Sequence, residues 1–252
     1  MQVQRWRVKA LFLPEASDYI SHSPAETMSL VQSAEDSVYV KGLQKEAKDN
    51  AIAINAGIHE PGDEKKSGKI KNTSIWISDE GEIIARYKKL HLFVDMNLTD
   101  GPQAHESDIF EEGMEIVPPL QTPVGLVGLL ICFDLRFPEV PLSLKRQGAQ
   151  IITYPSAFTV PTGKAHWEIL LRARAIETQS YVVAAAQAGQ HNEVRVSYGH
   201  SMIIGPWGDI LADLGGEFNG PEIATASVDL SIVNELRQEV PLKRRTDVYP
   251  EL

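Results

Sequence analysis

GLVGLLICFDLRFPE, residues 125–139, carries the only cysteine of the chain at the end of its most apolar run. A short apolar run bounded by glycines is typical of a strand buried on both faces. Pro138 and Glu139 favour a helix start just after it, because proline has no N–H to lose there and an acid stabilises the positive end of the helix dipole. We therefore expect Cys132 at a strand-to-helix crossing, where open α/β sheets carry their chemistry.

The composition is that of an ordinary globular protein, and 252 residues with no visible linker predict a single domain over 1–252. The formal net charge of −10 argues against a nucleic-acid binder and against a protein of anionic membrane surfaces, and no apolar run is long enough to span a bilayer. A single cysteine forms no internal disulfide, and the first residues do not resemble a signal peptide. These features favour a reducing compartment. We expect the cytoplasm, with the mitochondrion as an additional location.

Hydrophobic periodicity predicts alternating strands and helices, as in layered α/β proteins. The predicted strands include 8–13, 52–58, 75–77, 83–85, 151–154, 181–186 and one near 223–227. The predicted helices are 40–47, 138–147, 165–178 and one near 232–237. Turns at 79–81, 122–125 and 205–208 join antiparallel pairs, the second of which contains the cysteine strand. Residues 93 to about 112 form a long loop, and such loops in compact domains are usually functional.

Cys132 has two interpretations from the sequence. A lone thiol is more often a small buried hydrophobe than a nucleophile, but at a helix entrance the amides and the dipole would favour the reactive thiolate. A papain-like pairing with His166 or His200 is disfavoured, because the Cys-Gly-x-Cys-Trp signature is absent. His166 is more typical of a helix face, either at a pocket wall, where it would contact substrate, or at an interface. The histidines lack ligand spacing such as His-Glu-x-x-His, so we expect no metal site.

Glu15 and Lys89 are the remaining acid–base candidates. Glu15 follows a predicted buried strand, where partial desolvation would raise its pKa toward the range of a general base. Lys89 lies beside Lys88 in a strand, so at most one of the two points inward. Each group is by itself more typical of the surface. Together with Cys132, however, they are three chemical groups at the ends of three predicted strands.

Three separated motifs resemble the nitrilase superfamily of carbon-nitrogen hydrolases, namely FLPE at 12–15, YKKLHLF at 87–93 and ICFDLRFPE at 131–139. The resemblance covers nearly the whole chain. It implies an α/β fold, the four-layer αββα sandwich of that superfamily, with subunits that pair into a homodimer or higher homo-oligomer. Members have about one further strand and helix before the glutamate strand. We therefore expect this chain to lack that usual first strand and helix, and to be less stable than a form extended upstream.

The resemblance also implies a set of roles. Glu15 is the general base and acid, Cys132 is the nucleophile, and Lys89 stabilises the oxyanion together with the backbone amide of Phe133, which contacts substrate. Glu106 falls at the position of a supporting second glutamate. The resemblance implies no cofactor and no metal.

Four further motifs resemble the Nit branch of that superfamily, namely YPSAF at 154–158, TGKAHWE at 162–168, RARAIETQ at 172–179 and YGHSM at 198–202. This resemblance implies an amidase of metabolite repair. It would hydrolyse deaminated glutathione to 2-oxoglutarate and cysteinylglycine through a cysteine thioester. Two alternatives remain open: an ω-amidase that releases ammonia from α-ketoglutaramate or another small amide, and an interaction protein left inactive by N-terminal truncation.

A substrate with two carboxylates and a keto group requires local cations in a protein that is net acidic. Arg172, Arg174 and Lys164 are the candidates for this role. The alternative is that the two arginines pair with Glu168 and Glu177 on a helix surface.

Overall fold

The computed structural model describes residues 8–63, 68–95 and 104–250. Among these residues the first β-sheet has four strands, in the order β1 (Ala10–Phe12), β2 (Ala53–Pro61), β3 (Ile70–Ile77) and β4 (Ile83–Lys88). β1 runs parallel to β2, and the other neighbours are antiparallel. A short separate pair follows, formed by β5 (Val94–Asp95) and β6 (Ala104–His105).

The second sheet begins at the β-hairpin that precedes Cys132. Its strands are β7 (Leu120–Thr122), β8 (Gly125–Leu129), β9 (Ile151–Thr153) and β10 (Tyr181–Ala184), and, after a small separate pair β11 (Ala188–Gln190) and β12 (Val196–Tyr198), β13 (Met202–Ile204) and β14 (Ile210–Asp213). The order across the sheet is β14-β13-β10-β9-β8-β7. β8, β9 and β10 are parallel, so their carboxyl ends meet at one edge of the sheet.

The helices of the described residues are α1 (Pro24–Leu30), α2 (Val38–Asn50), α3 (Glu139–Arg146), α4 (Val160–Thr178) and α5 (Leu230–Glu239). The side chain of Ser37 accepts a hydrogen bond from an N–H of the first turn of α2, which satisfies one donor that the helix itself leaves unpaired. α2 ends at Ala51 in the left-handed conformation, which lets the Ala51 N–H close the last turn. In the described part of the chain, none of the helices has the length and apolar character required to cross a membrane.

The alternation of side chains along β2 and β3 separates two apolar layers. One set, Ile54, Ala56, Ile58, Ile75 and Ile77, packs with Val40 and Ala47 of α2 on the outer face of the first sheet. The opposite set contributes Ala53 and Trp76 to a larger core that contains β8, β9 and β10 of the second sheet and residues of α3 and α4. The layer order is therefore helix, sheet, sheet, helix. The predicted αββα sandwich is confirmed.

Most predicted elements are present, with three corrections. α4 begins at Val160 rather than at 165, because Pro161 lies in its first turn, where a missing N–H costs nothing. The strand expected near 223–227 is wrong, since those residues form no strand. The first strand is only half-buried, not buried, because β1 lies at the edge of the described sheet with β2 as its neighbour.

A glycine fixes how closely β1 approaches β2. A Cβ atom added at Gly57 would lie 2.6 Å from the Cα of Glu15 and 2.8 Å from the carbonyl oxygen of Pro14. The backbone after β1 is anchored at this contact, since the Gly57 N–H donates to the Pro14 carbonyl at 3.1 Å. Gly57 therefore sets the position of Glu15.

We expect Gly57→Ala to lower the free energy of unfolding by about 1–3 kcal/mol, because the added methyl group has no space. The same substitution at the exposed Gly42 of α2, where nothing lies within 4 Å, is the matched control. Gly42→Ala should instead stabilise the protein by about 0.5–1 kcal/mol, since alanine is the better helix former. Urea denaturation of both variants measures the difference, and equal stabilities would contradict the contact described above.

Candidate active site

Three strand ends of the two sheets bring Glu15, Lys89 and Cys132 together. Glu15 lies past β1, Lys89 directly follows β4, and Cys132 follows β8. The face alternation predicted for the two lysines is confirmed: Lys89 is fully buried, whereas Lys88 lies on the other face and pairs with Asp63 at 3.0 Å. The sequence thus predicted the meeting point of these groups.

The ammonium group of Lys89 lies between two carboxylates. Its Nζ donates to Oε1 of Glu15 at 2.9 Å and to both carboxylate oxygens of Glu106, at 3.0 and 2.9 Å. Glu106 begins a short 3-10 helix and also accepts the Phe93 N–H at 2.8 Å. Asn72 of β3 donates to the same Glu15 oxygen at 2.8 Å. Each charged group is thus paired with an opposite charge, as burial requires.

Cys132 occupies a strained backbone turn. Its φ is 44°, in the left-handed region that residues with a side chain rarely adopt. The turn is fixed by the Cys132 N–H, which donates to the Pro155 carbonyl at 3.0 Å, and by the 3-10 helix Cys132–Arg136 that follows. Within the described residues the N–H of Phe133 meets no hydrogen-bond acceptor. Backbone strain of this kind is typical of functional sites. Because the Phe133 N–H has no acceptor among these residues, it is available to a ligand.

Asp134 ties the lysine segment to the cysteine turn. This fully buried carboxylate accepts the Tyr87 hydroxyl at 2.7 Å and the Ile131 N–H at 3.0 Å on one oxygen. Its other oxygen accepts the His91 N–H at 3.0 Å and lies 2.8 Å from Nδ1 of the same residue. The residues that flank Lys89 and those that flank Cys132 therefore share one anchor.

The pKa expected for Glu15 from the sequence is wrong in direction. Burial raises the pKa of this carboxyl, as expected. The charge of Lys89 and hydrogen bonds from Cys132, Lys89 and Asn72 together outweigh burial and hold the pKa below its ordinary value of 4.5. Glu15 is therefore ionised at neutral pH.

The thiol of Cys132 has a pKa well above its ordinary value of 9.0. Burial is the main cause and the charge of Glu15 adds to it, against the opposing effects of Lys89 and of a hydrogen bond from the Ala157 amide. The thiolate expected at a helix entrance is therefore wrong for the resting protein. Burial also lowers the pKa of Lys89, but the charges of Glu106 and Glu15 raise it well above 10.5, so the ammonium stays charged.

A cavity of ≈ 330 Å³ opens above these groups. Its lining includes Glu15, Glu106, Cys132 and Phe133, all of which are site candidates from the sequence. The size is within the range of small-molecule sites. The positions of the ionised carboxylate, the neutral thiol, the ammonium and the free amide suit nucleophilic attack on a carbonyl.

The model of one known family, described as carbon-nitrogen hydrolase, matches residues 2–238. The chain belongs to this family. A probable hydrolase named nit2 from Schizosaccharomyces pombe is 46% identical over 97% of this chain and 88% of its own length. A deaminated glutathione amidase from Rattus norvegicus is 44% identical over 96% of this chain and 73% of its own length. The crystal structure of the Caenorhabditis elegans NitFhit protein matches with a TM-score of 0.87 and 41% identity, and this chain spans 58% of it.

These comparisons confirm the predicted resemblance to the nitrilase superfamily and its Nit branch. The family and the amidase relatives make the chain a hydrolase that acts on amides. A small-molecule amide is accordingly its class of substrate.

The cations that the sequence predicted for substrate binding lie outside the cavity. Arg172 donates to Glu168 at 3.1 Å and Arg174 to Glu177 at 2.7 Å, which is the alternative pairing left open by the sequence. Arg174 is buried rather than on the surface, and its Nε donates to the Leu135 carbonyl. None of these side chains lines the cavity.

Lys164 and His166 are also outside the cavity lining. Lys164 is exposed on α4. His166 is linked to the site only through Arg136, whose guanidinium lies 3.3 Å from its Nδ1.

The arginines of the cavity are Arg136 and Arg195. The guanidinium of Arg136 lies 5.7 Å from the Phe133 ring centroid and 5.9 Å from that of Phe158. Neither arginine has a carboxylate partner in the described ranges. Arg136 belongs to the cysteine motif, four residues after Cys132, so its position in the sequence could have indicated it. Arg195 belongs to the β11–β12 connection, which no sequence motif marks.

The raised pKa of the Cys132 thiol can be tested by titration of the thiolate. We expect the far-ultraviolet thiolate absorbance of Cys132, taken as wild type minus Cys132→Ala, to stay absent up to pH 9, because burial and Glu15 raise the pKa of the thiol. A cysteine with the ordinary pKa would be about half ionised at pH 9. A thiolate step between pH 5 and 8 would show that Lys89 maintains an ion pair with the sulfur, contrary to this geometry.

Proposed function

We propose that the protein hydrolyses deaminated glutathione to 2-oxoglutarate and cysteinylglycine through a thioester on Cys132. The observation that carries the proposal is a neutral buried thiol hydrogen-bonded to an ionised carboxylate, Glu15, with both groups in the lining of one cavity. Relatives that bear the name deaminated glutathione amidase support the choice of substrate.

The first half of the reaction forms the thioester. As the sulfur of Cys132 attacks the amide carbonyl, its proton moves to Glu15, because the thiol does not ionise by itself. The charge that develops on the carbonyl oxygen is stabilised by the ammonium of Lys89 and the Phe133 N–H. The C–N bond then breaks, and Glu15 returns the proton to the leaving amine.

The second half of the reaction releases the acid. A water molecule attacks the thioester carbonyl and gives a proton to Glu15, and the same two donors stabilise the oxyanion. The C–S bond breaks as the proton returns to the sulfur. Glu15 thus acts as base, acid and base again, while Glu106 and Asn72 keep Lys89 and the carboxylate in position.

Arg136 suits the keto-acid half of this substrate. It belongs to the same 3-10 helix as Cys132, so it lies on the side of the cavity to which the acyl group becomes attached. Its guanidinium is held by the aromatic rings and by His166 rather than by an acid. An arginine free of acidic partners binds a carboxylate through two parallel hydrogen bonds.

We further propose a homodimer or larger homo-oligomer of single-domain subunits in the cytoplasm. Exposed apolar side chains on α4 and the β13–β14 turn, Ile169, Ile176 and Trp207, support an interface there. The metabolite chemistry of the proposed reaction fits a reducing compartment, because cysteinylglycine carries a free thiol.

Turnover and labelling test the nucleophile. Cys132→Ala should abolish both hydrolysis of deaminated glutathione and iodoacetamide labelling at the site. Glu15→Gln should lower the rate by about 10²–10⁴, because it removes general-base catalysis, and it leaves Lys89 paired with Glu106. Cysteinylglycine and ammonia are measured with deaminated glutathione and α-ketoglutaramate as parallel substrates. Release of ammonia alone would assign an ω-amidase instead, and the absence of both products would assign a binding protein.

A second comparison tests the keto-acid contact. Arg136→Met should raise the KM for both substrates by about 10-fold or more, since both carry the keto-acid half and lose a charged hydrogen bond. Arg172→Met removes an arginine whose partners, Glu168 and the Gly208 carbonyl, lie away from the cavity. Its KM values should equal those of wild type. A larger effect at Arg172 would return the substrate carboxylate to the face of α4.

A further inference from the structure

The cavity contains a second group of polar residues that the proposed reaction does not use. His59 of β2 lines the cavity, and Asp18, from the segment after Glu15, lies behind it as its partner. Both side chains are nearly buried. Nδ1 of His59 lies 3.0 Å from Oδ1 of Asp18, and the His59 N–H donates to Oδ2 at 2.8 Å. Asp18 therefore holds both the backbone and the imidazole of His59, the ring through one contact.

Aromatic rings fix the same imidazole from both sides. Tyr19 stacks on it with centroids 4.4 Å apart and an interplanar angle of 30°, and Phe110 stacks at 5.6 Å and 21°. Both rings also line the cavity. Because Nδ1 faces Asp18, Nε2 is the ring nitrogen left for a ligand, and it has no hydrogen-bond partner in the described part of the chain. A side chain fixed on three sides with one nitrogen unused is preorganised for binding.

The register of the first sheet locates His59 relative to the catalytic groups. His59 is directly opposite Asn72 in the β2–β3 pair, and residues opposite each other project on the same face. Asn72 in turn donates to the Glu15 carboxylate at 2.8 Å. His59 thus lies on the first sheet beside Asn72, the residue that contacts Glu15. Phe133 and Arg136 belong instead to the turn that follows β8 of the second sheet.

This separation corresponds to the two halves of an amide substrate. The acyl half becomes attached to Cys132, and the leaving amine must lie over Glu15 to receive its proton. Atoms attached to the amine therefore continue along the first sheet toward His59. A leaving group as small as ammonia has no atoms that reach this position.

We propose that the Asp18–His59 pair binds the leaving half of an extended substrate, an amine that carries a further peptide or carboxylate group. Nε2 of His59 makes the hydrogen bond to that group, and Asp18 is a positioning residue that acts through the imidazole. The inference rests on the proposed function and deepens it, because it identifies which residues would distinguish deaminated glutathione from α-ketoglutaramate.

Two substitutions of His59 separate its nitrogens. The amide nitrogen of asparagine can replace Nδ1 against Asp18 but does not reach the position of Nε2, whereas the longer glutamine reaches it. His59→Asn should lower kcat/KM for deaminated glutathione about 10-fold or more, mainly through KM, since one hydrogen bond to a polar or charged group is lost. Its kcat/KM for α-ketoglutaramate should stay within about twofold of wild type. His59→Gln should recover part of the loss.

The matched control breaks a similar pair outside the cavity. Nδ1 of His200 lies 3.1 Å from Asp213, and His200 is not part of the cavity lining. Its φ of 57° is one that asparagine tolerates. His200→Asn should therefore leave the ratio of the two kcat/KM values unchanged. An equal loss of kcat/KM on both substrates in His59→Asn would overturn the proposal, because His59 would then act only on the fold or on Glu15. An unchanged kcat/KM on both substrates would overturn it as well.

A binding measurement separates this inference from the proposed function. Calorimetry compares cysteinylglycine and 2-oxoglutarate as ligands of Cys132→Ala and of the double variant Cys132→Ala with His59→Asn. Weaker binding of cysteinylglycine alone in the double variant supports the role of His59, even if wild type fails to hydrolyse deaminated glutathione and the proposed function falls. Unchanged binding of cysteinylglycine, or equal weakening of both ligands, overturns it.

Discussion

The rest of the site depends on the ion pairs that the buried ammonium of Lys89 makes with two carboxylates. A charge that is fully removed from water must have opposite charges and hydrogen bonds around it, and here these come from Glu15 after β1 and Glu106 after β6. Removing one partner of a buried ion pair typically costs about 3–5 kcal/mol. The cluster therefore fixes the relative positions of segments that are far apart in the chain, and with them the positions of Glu15, Lys89 and Glu106.

A second buried charge, on Asp134, connects this cluster to Cys132. Asp134 accepts hydrogen bonds from the segment around Lys89 and from the backbone just before Cys132. The strained φ of Cys132 is maintained by this network and by the Pro155 carbonyl. The resulting electrostatics favour an ionised Glu15 beside a neutral thiol. In the proposed mechanism, proton transfer to Glu15 therefore accompanies the attack of the sulfur, and a thiol with a raised pKa is compatible with that role.

The two sheets supply different groups to the cavity. Cys132, Phe133 and Arg136 follow β8 of the second sheet, and all three line the cavity. Glu15 follows β1 of the first sheet, and His59 of β2 lies opposite Asn72, which donates to the Glu15 carboxylate. In the proposed reaction the first group faces the acyl half of the substrate and the second group faces the leaving amine.

The sequence by itself determined the alternation of strands and helices, the inward direction of Lys89 and the convergence of three strand ends, because these follow from periodicity and from motifs that are continuous in the chain. The tertiary structure alone decided the protonation states, since desolvation and Lys89 act in opposite directions on Glu15 and only their distances and burial determine the balance. It also showed that Arg136 and Arg195 line the cavity, whereas Arg172 and Arg174 do not. Helical spacing brings Arg172 and Arg174 within reach of Glu168 and Glu177, but which face of α4 is turned toward the cavity depends on packing between elements that no local pattern records.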